Sequence, residues 1–93
     1  MSLLGGWDIS GMKPCNLPQR AASAFTGATQ DLVGASYQPV LYVGSQVVNG
    51  TNYCILALQT LSTAQPKKRL VKLIINESLN AEYRLESVSI IGL

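Results

Sequence analysis

The spacing of apolar side chains changes once along the chain, and this change separates a helical part from a strand-forming part. After Asn16, which can cap a helix, and Pro18, which fits its first turn, apolar residues recur at intervals of three and four. This spacing predicts one alanine-rich helix that ends near Val33, before Gly34. Its apolar positions are Ala21, Ala22, Ala24, Phe25, Ala28, Leu32 and Val33.

From residue 40 onward the apolar period shortens to two, which is typical of strands. Strands are predicted at residues 40–48, 51–61, 70–76 and 83–91, with a fifth around residues 7–9 in an N-terminal arm formed by residues 1–12. No helix is predicted between any two of the last four strands, so the order favours an antiparallel meander packed on one helix, an α+β fold. The length suffices for a single domain over residues 1–93.

Asn49 and Gly50 lie between two apolar, strand-forming runs, and both residue types tolerate the positive φ of a tight hairpin turn. A structural turn is the simplest interpretation. It leaves Val47 and Val48 unexplained, because the tip of a solvated hairpin normally carries polar side chains. An apolar tip suggests a contact surface.

Composition gives a second indication of a partner. Hydrophobic residues make up 47% of the chain and charged residues 13%, which leaves few polar side chains to cover a small domain. The formal net charge is +2, and the basic cluster at residues 67–69 fits a solvated turn better than a nucleic-acid surface, because no aromatic residues are interleaved with it. No nucleic-acid partner is therefore predicted.

The N-terminus lacks the charged start and long apolar run of a signal peptide, and no stretch of the sequence is apolar over a length that could span a membrane. We therefore expect no membrane association. The location stays open between two alternatives, and the first is the cytoplasm. A bacterial periplasmic location would follow instead if a leader preceded Met1 in the parent gene.

The chain contains no histidine and two cysteines, Cys15 and Cys54. A catalytic thiol would lack its usual base and a zinc site its usual ligands, so the sequence predicts neither an enzyme nor a metal or other cofactor. The cysteines fit either one disulfide bridge or two buried thiols. The acidic residues lack the spacing of a catalytic carboxylate pair and are expected to solvate the surface. They are Asp8, Asp31, Glu77, Glu82 and Glu86.

Residues 46–50, with the sequence Gln-Val-Val-Asn-Gly, fit the Gln-x-Val-x-Gly motif of cystatins, and residues 51–53 resemble the intracellular stefin branch. Upstream, Gly5-Gly6 and Lys13-Pro14 lie where stefins have them, in the arm and before the helix. The chain is thus similar to the stefin-like inhibitors of the cystatin superfamily. The resemblance implies a curved antiparallel sheet of four to five strands wrapped around one N-terminal helix.

The resemblance also implies a function, reversible tight-binding inhibition of papain-like cysteine proteases. In that family the arm and two hairpins form a wedge that fills the protease cleft without chemistry of its own. The glycines of the arm would let it lie extended, the valines would supply apolar contact, and the glutamine and glycine of the motif would hold the first hairpin's shape. The second hairpin lacks the proline usual in stefins, so it contributes one residue. The implied protease-binding residues are Gly5, Gly6, Gln46, Val47, Val48, Asn49, Gly50 and Leu79.

An apolar patch supports an alternative function. Compared with the stefin pattern, several apolar side chains fall on the convex face of the sheet, away from the helix. They are Val40, Tyr42, Leu56, Leu58 and Ile74. Such a patch predicts a homodimer or another covering partner. The alternative is a cystatin-fold interaction or assembly module that dimerises through this face and does not inhibit proteases.

Overall fold

The computed structural model describes residues 13–92, and the side chains of residues 13–91. Helix α1 (Gln19–Thr29) is followed by strands β1 (Ala35–Val48), β2 (Gly50–Leu61), β3 (Lys68–Glu77) and β4 (Tyr83–Gly92). The strands form one antiparallel sheet in the order β1-β2-β3-β4. This arrangement confirms the predicted α+β class, with one helix and a meander of four strands. The predicted arm and its strand at residues 7–9 lie outside the described residues.

Both predicted ends of the helix were wrong. The N-cap is Pro18 rather than Asn16, and no side chain caps the helix, while the Pro18 carbonyl accepts a bond of 2.8 Å from the Ala22 N–H. At the other end Leu32 donates to the Thr29 carbonyl at 3.2 Å, a tighter turn that closes the helix at Thr29. Val33, the predicted end, is 99% exposed, so no burial favours extending the helix to it.

One face of the sheet and one side of α1 form the core. Three helix residues pack against alternate positions of the two central strands, β2 and β3. The buried cluster consists of Ala21, Ala24, Phe25, Tyr53, Ile55, Ala57, Val71, Leu73 and Ile75. Gly27 brings the helix close to β4, because a Cβ at this position would collide with the ring of Tyr83. The helix therefore needs a residue without a side chain at Gly27.

Strand β1 begins at Ala35, five residues before the predicted start at residue 40. Pro39 and two register shifts, between Pro39 and Leu41 and between Tyr42 and Gly44, interrupt its alternation. The missed residues 35–39 pair regularly with β2, and the proline at their end, which is rare inside a strand, set the predicted start at residue 40. The longer strand is paired with β2 over its whole length.

The predicted convex patch is wrong in two of its members. Tyr42 pairs with Ile55 and packs against the core, because the register shift after Pro39 moves it to the helix-covered face. Leu41 takes its place opposite Leu56 and is exposed. Leu58 is only 6% exposed. Its neighbours on the two flanking strands, Gln38 and Leu70, lie beside it on the same face.

The other three members of that patch are Val40, Leu56 and Ile74, and all are half-buried. The face away from the helix therefore does not present the five predicted side chains as one exposed surface. Cys15 and Cys54 are free thiols, both half-buried. Cys15 also ties the chain before α1 to the sheet, because its N–H donates to the Pro39 carbonyl at 2.9 Å.

Candidate functional site

Two hairpin turns lie at the same end of the sheet. The first joins β1 to β2 at Asn49, and the second joins β3 to β4 over residues 78–82. The pairing of Thr51 with Glu77 places the start of β2 beside the end of β3, so the two turns are neighbours. We call residues 46–51 and 77–82 together the hairpin end.

The first hairpin is tight, and its shape depends on Gly50. Val48 pairs with Gly50, so that Asn49 alone lies between the paired residues. Gly50 has a φ of +103°, a backbone conformation that L side chains rarely adopt. A Cβ on Gly50 would collide with the Glu77 carbonyl oxygen and would lie 3.3 Å from the Ser78 Cα. The predicted turn at Asn49 and Gly50 therefore requires a glycine at its second residue, because the two hairpins are in close contact there.

The second hairpin is held by hydrogen bonds around Ser78 rather than by a proline. The Ser78 N–H donates to the Glu82 carbonyl at 2.8 Å, and the Ser78 carbonyl accepts from the Ala81 N–H at 3.0 Å. The Ser78 hydroxyl oxygen accepts from the N–H groups of Asn80 and Glu82 at 3.2 and 3.1 Å. Ala81 closes the turn with a φ of 58°. Sequence analysis missed Ser78, although serine at the start of a turn is the usual signal for such bonds.

Apolar side chains remain exposed on both hairpins. Val47 is 86% exposed and Leu79 is 79% exposed, while Val48 is also exposed. Gln46 and Asn49 complete the exposed part of the first hairpin. The backbone bonds and the contact at Gly50 fix the turns without these side chains. Their apolar surface is therefore available to a partner.

A buried tyrosine and a carboxylate connect the hairpin end to the helix. The Glu77 Oε1 atom accepts the Tyr53 hydroxyl at 2.7 Å and the Arg20 Nη2 at 3.2 Å. The pKa of Tyr53 is raised above its ordinary value. The main cause is burial of the phenol, and the hydrogen bond to Glu77 is the second. The start of α1 is thereby joined to the last residue of β3.

Glu77 is therefore more than a solvating charge, which corrects the expectation for this residue. Sequence analysis had no signal for this contact, because Arg20 and Tyr53 lie 57 and 24 residues away along the chain. Beside it, the Asn76 amide donates to the Asn52 side-chain carbonyl at 2.9 Å across β3 and β2. Polar side chains thus link neighbouring elements just behind the exposed tips.

The structure brings most of the predicted site together. Gln46, Val47, Val48, Asn49 and Gly50 lie on the first hairpin, and Leu79 lies on the second at the same end. The arm residues Gly5 and Gly6 are outside the described part of the chain.

Within residues 13–92 no three His, Cys, Asp or Glu side chains lie close enough together to hold a metal ion. No helix of the same range has the length and apolarity needed to cross a membrane. Comparison of the chain with family models, with curated proteins and with solved structures found no match.

Proposed function

We propose that the protein is a reversible, tight-binding inhibitor of papain-like cysteine proteases with a cystatin-like, stefin-type fold. The observation that carries the proposal is the joint exposure of Val47, Val48 and Leu79 on two adjacent hairpins of fixed backbone. The motif in residues 46–50 supplies the class of target. An exposed apolar end formed by two hairpins is suited to a cleft in which the protease binds apolar substrate side chains.

The inhibitor acts as a wedge and reacts with nothing. Val47 and Val48 enter the cleft from the first hairpin, and Leu79 enters beside them from the second. Burying their exposed surface contributes about 25 cal/mol for each Å² of apolar area removed from water. Because Gly50 and Ser78 already hold the two turns, little conformational entropy is lost on docking.

Asn49 has a different role at the tip. Its amide is polar and exposed, and burying it without a hydrogen-bond partner would oppose binding. We therefore expect the Asn49 side chain to stay hydrated at the edge of the cleft or to bond a backbone group of the protease.

The arm supplies the third part of the wedge. Gly5 and Gly6 lie upstream of the first described residue. Because they have no side chains, they could lie extended along the wall of a narrow cleft. An inhibitor that begins at Trp7 should bind papain more weakly than the whole chain. Equal inhibition by the two would remove the arm from the proposal and leave the hairpins.

Titration of papain under reducing conditions, with the oligomeric state measured in parallel, tests the hairpins. Val47→Ser and Leu79→Ser should each weaken inhibition by roughly tenfold or more, which corresponds to about 1.4 kcal/mol of binding free energy. Val33→Ser is the matched control, because Val33 is as apolar, is 99% exposed and precedes β1, away from both hairpins. The proposal fails if a verified monomer does not inhibit papain, or if the control loses as much as the hairpin variants.

The alternative function, assembly through the convex face, gains no support from the exposure of that face. Tyr42 packs into the core and Leu58 is buried, so two of the five side chains assigned to the interface are not accessible. Substituting Leu56, which is half-buried on that face, with a charged residue would test what remains of it. Loss of an oligomer in that variant would revive the alternative.

A further inference from the structure

The asparagines of the chain differ in the residue that follows each of them. Asparagine is a thermolabile residue. Its side chain loses ammonia when the peptide nitrogen of the next residue attacks the side-chain amide carbon. The attack is easiest where the next residue is small, its N–H is free and the side-chain amide can turn toward it. Asn49 is followed by glycine, whereas leucine, tyrosine, glutamate and alanine follow the other four asparagines.

The peptide nitrogen after Asn49 is open to this attack. Gly50 has no side chain that would shield it. The backbone forms a bend at Asn49 rather than a hydrogen-bonded turn, so no turn bond occupies the Gly50 N–H. The Asn49 side chain is exposed, and no hydrogen bond to another described residue holds its amide. Both reacting groups are therefore accessible to each other and to water.

The asparagines nearest to Asn49 in the fold are restrained. Asn80 lies exposed in the neighbouring hairpin, but the N–H that would attack it, that of Ala81, donates to the Ser78 carbonyl at 3.0 Å. The Asn76 amide donates to the Asn52 side-chain carbonyl at 2.9 Å, which fixes both side chains across β3 and β2. Among the asparagines of the sheet and its hairpins, the open pair is thus the one at the tip of the first hairpin.

We propose that Asn49 is a site of spontaneous deamidation in the folded protein. The Gly50 peptide nitrogen bonds to the Asn49 Cγ, the bond from Cγ to Nδ2 breaks, and the peptide proton leaves with that nitrogen as ammonia. The product is a five-membered succinimide ring. Water then opens the ring at either carbonyl, adding OH to the carbon and H to the nitrogen, and yields aspartate or isoaspartate. Water is the only co-reactant, and nothing is oxidised or reduced.

The modification changes the charge and the backbone of the hairpin end. An aspartate carboxyl has a pKa of about 3.9, so it is ionised at neutral pH. One added negative charge lowers the formal net charge from +2 to +1. Isoaspartate also lengthens the main chain at the tip by one atom. Because Gly50 rests against the Glu77 carbonyl and the Ser78 Cα, a longer backbone there disturbs the contact between the hairpins.

Mass spectrometry of peptides from the folded chain, sampled during incubation in mildly alkaline buffer, gives the first test. The peptide that contains residue 49 should gain the mass that separates an acid from an amide. It should also appear as two species, because direct hydrolysis yields aspartate alone and the succinimide yields isoaspartate as well. Asn49→Gln should remain unmodified, since its longer side chain closes a larger ring. An Asn49 amide that stays intact in the folded chain overturns the proposal, whether or not the same chain reacts in urea.

Ala81→Gly tests the role of the free N–H by placing an asparagine–glycine pair in the second hairpin. Ala81 has a φ of 58°, so glycine suits this position and preserves the fold. In the folded variant Asn80 should react more slowly than Asn49, because the N–H of residue 81 stays bonded to the Ser78 carbonyl. In urea this bond is absent, and the two rates should converge. Equal rates in the folded variant would refute the role assigned to the Gly50 N–H.

The consequence for inhibition rests on the proposed function, whereas the modification itself is measured by mass and charge without a protease. Chain that has reacted at Asn49 should inhibit papain more weakly than fresh chain, because the tip has gained a charge. A chain that deamidates but never inhibits papain would refute the inhibitor alone. An inhibitor whose Asn49 amide persists would refute the modification alone.

Discussion

The two ends of the sheet use their side chains in opposite ways. The end away from the hairpins contains residues 30–37 and 59–69. There, polar side chains form hydrogen bonds with one another. Arg69 donates its Nε to the Gln59 Oε1 at 2.9 Å and its Nη2 to the same oxygen, while the Gln59 Nε2 donates to the Tyr37 hydroxyl at 2.9 Å. Gln59 is buried, so these bonds satisfy an amide that water does not reach.

At the hairpin end the shape comes from the backbone and from a few polar groups behind the tips. Gly50, Ser78 and Glu77 hold the turns, whereas the most exposed apolar side chains, Val47 and Leu79, do not contribute to their shape. At the hairpin end, the residues that stabilise the fold and the residues available for contact are therefore different ones. Substitutions at the two ends should therefore separate loss of stability from loss of inhibition.

The largest expected effect is the loss of stability when Gly50 is replaced. A glycine at the opposite end of the sheet, Gly34, provides the comparison. Gly50→Ala should lower the free energy of unfolding by roughly 3 kcal/mol or more, because a positive φ costs an L residue about 1–2 kcal/mol and overpacking costs about 1–3 kcal/mol. Gly34 has a φ of +92° but no atom within 4 Å of a built Cβ, so Gly34→Ala should lose only the backbone part. Urea denaturation of both variants measures the difference. Equal losses would show that the contact of Gly50 with Glu77 is unimportant.

The next effect belongs to the opposite end. Arg69→Met leaves the Gln59 carbonyl oxygen buried without its donor, which should cost about 1–3 kcal/mol of unfolding free energy. Inhibition of papain should not change, because Arg69 lies away from both hairpins. Lys67→Met is the control, since Lys67 is exposed, and its stability should change by less than about 0.5 kcal/mol. A weakened inhibitor in Arg69→Met would contradict the separation of the two ends.

At the hairpin end, Tyr53→Phe should cost about 1–2 kcal/mol at neutral pH, because Glu77 loses one of its two donors. The pH dependence is more specific. The pKa of Tyr53 is raised in the folded protein above the ordinary 10.0, so its stabilising effect is complete below pH 10.0 and is lost as the pH rises through the folded value.

The difference in unfolding free energy between the parent chain and Tyr53→Phe should therefore shrink above pH 10.0. Urea denaturation from pH 8 to pH 11 would be used, and taking the difference removes the titration of the other residues. A difference that stays constant or grows over this range would show that the phenol of Tyr53 is not held in its protonated form by burial and Glu77.

The smallest effect on stability is expected for Ser78→Ala. Its hydroxyl lies at an exposed turn, so water can replace it and the loss should stay below about 1 kcal/mol. Inhibition should weaken several-fold, because the second hairpin then loses part of its fixed shape before docking. Ser62→Ala, at an exposed serine of the opposite end, should change neither quantity. Unchanged inhibition in Ser78→Ala would show that this turn needs no ordering by its hydroxyl.

The sequence predicted what depends on local pattern. Strand β2 has a single register with its neighbour β3, and its predicted start and end differ from the structure by one residue at most. The turn at Asn49 and Gly50 was also found, since it needs only residue type. Strand β1 was predicted five residues too short, because Pro39 separates residues 35–38 from the apolar run on which the prediction rests.

What could not be predicted depends on contacts between distant residues. The helix ends at Thr29 because Leu32 and Val33 find no surface to cover, and no local pattern contains that information. Tyr42 changed faces through a bulge whose position is set by pairing with β2. The role of Glu77 required two partners from other elements. For the candidate site, the motif gave the exposed residues, and the structure gave the groups that support them.

The close approach at Gly50 has a consequence for the energetics of the two loops. The backbone of the first hairpin rests directly on that of the second, so a displacement of one must move the other. A double-mutant cycle between Val47 and Leu79 should then yield a coupling energy different from zero, although these exposed side chains lie on separate hairpins. Affinity maturation of one loop alone would therefore meet a limit set by its neighbour, and productive libraries would vary both loops together.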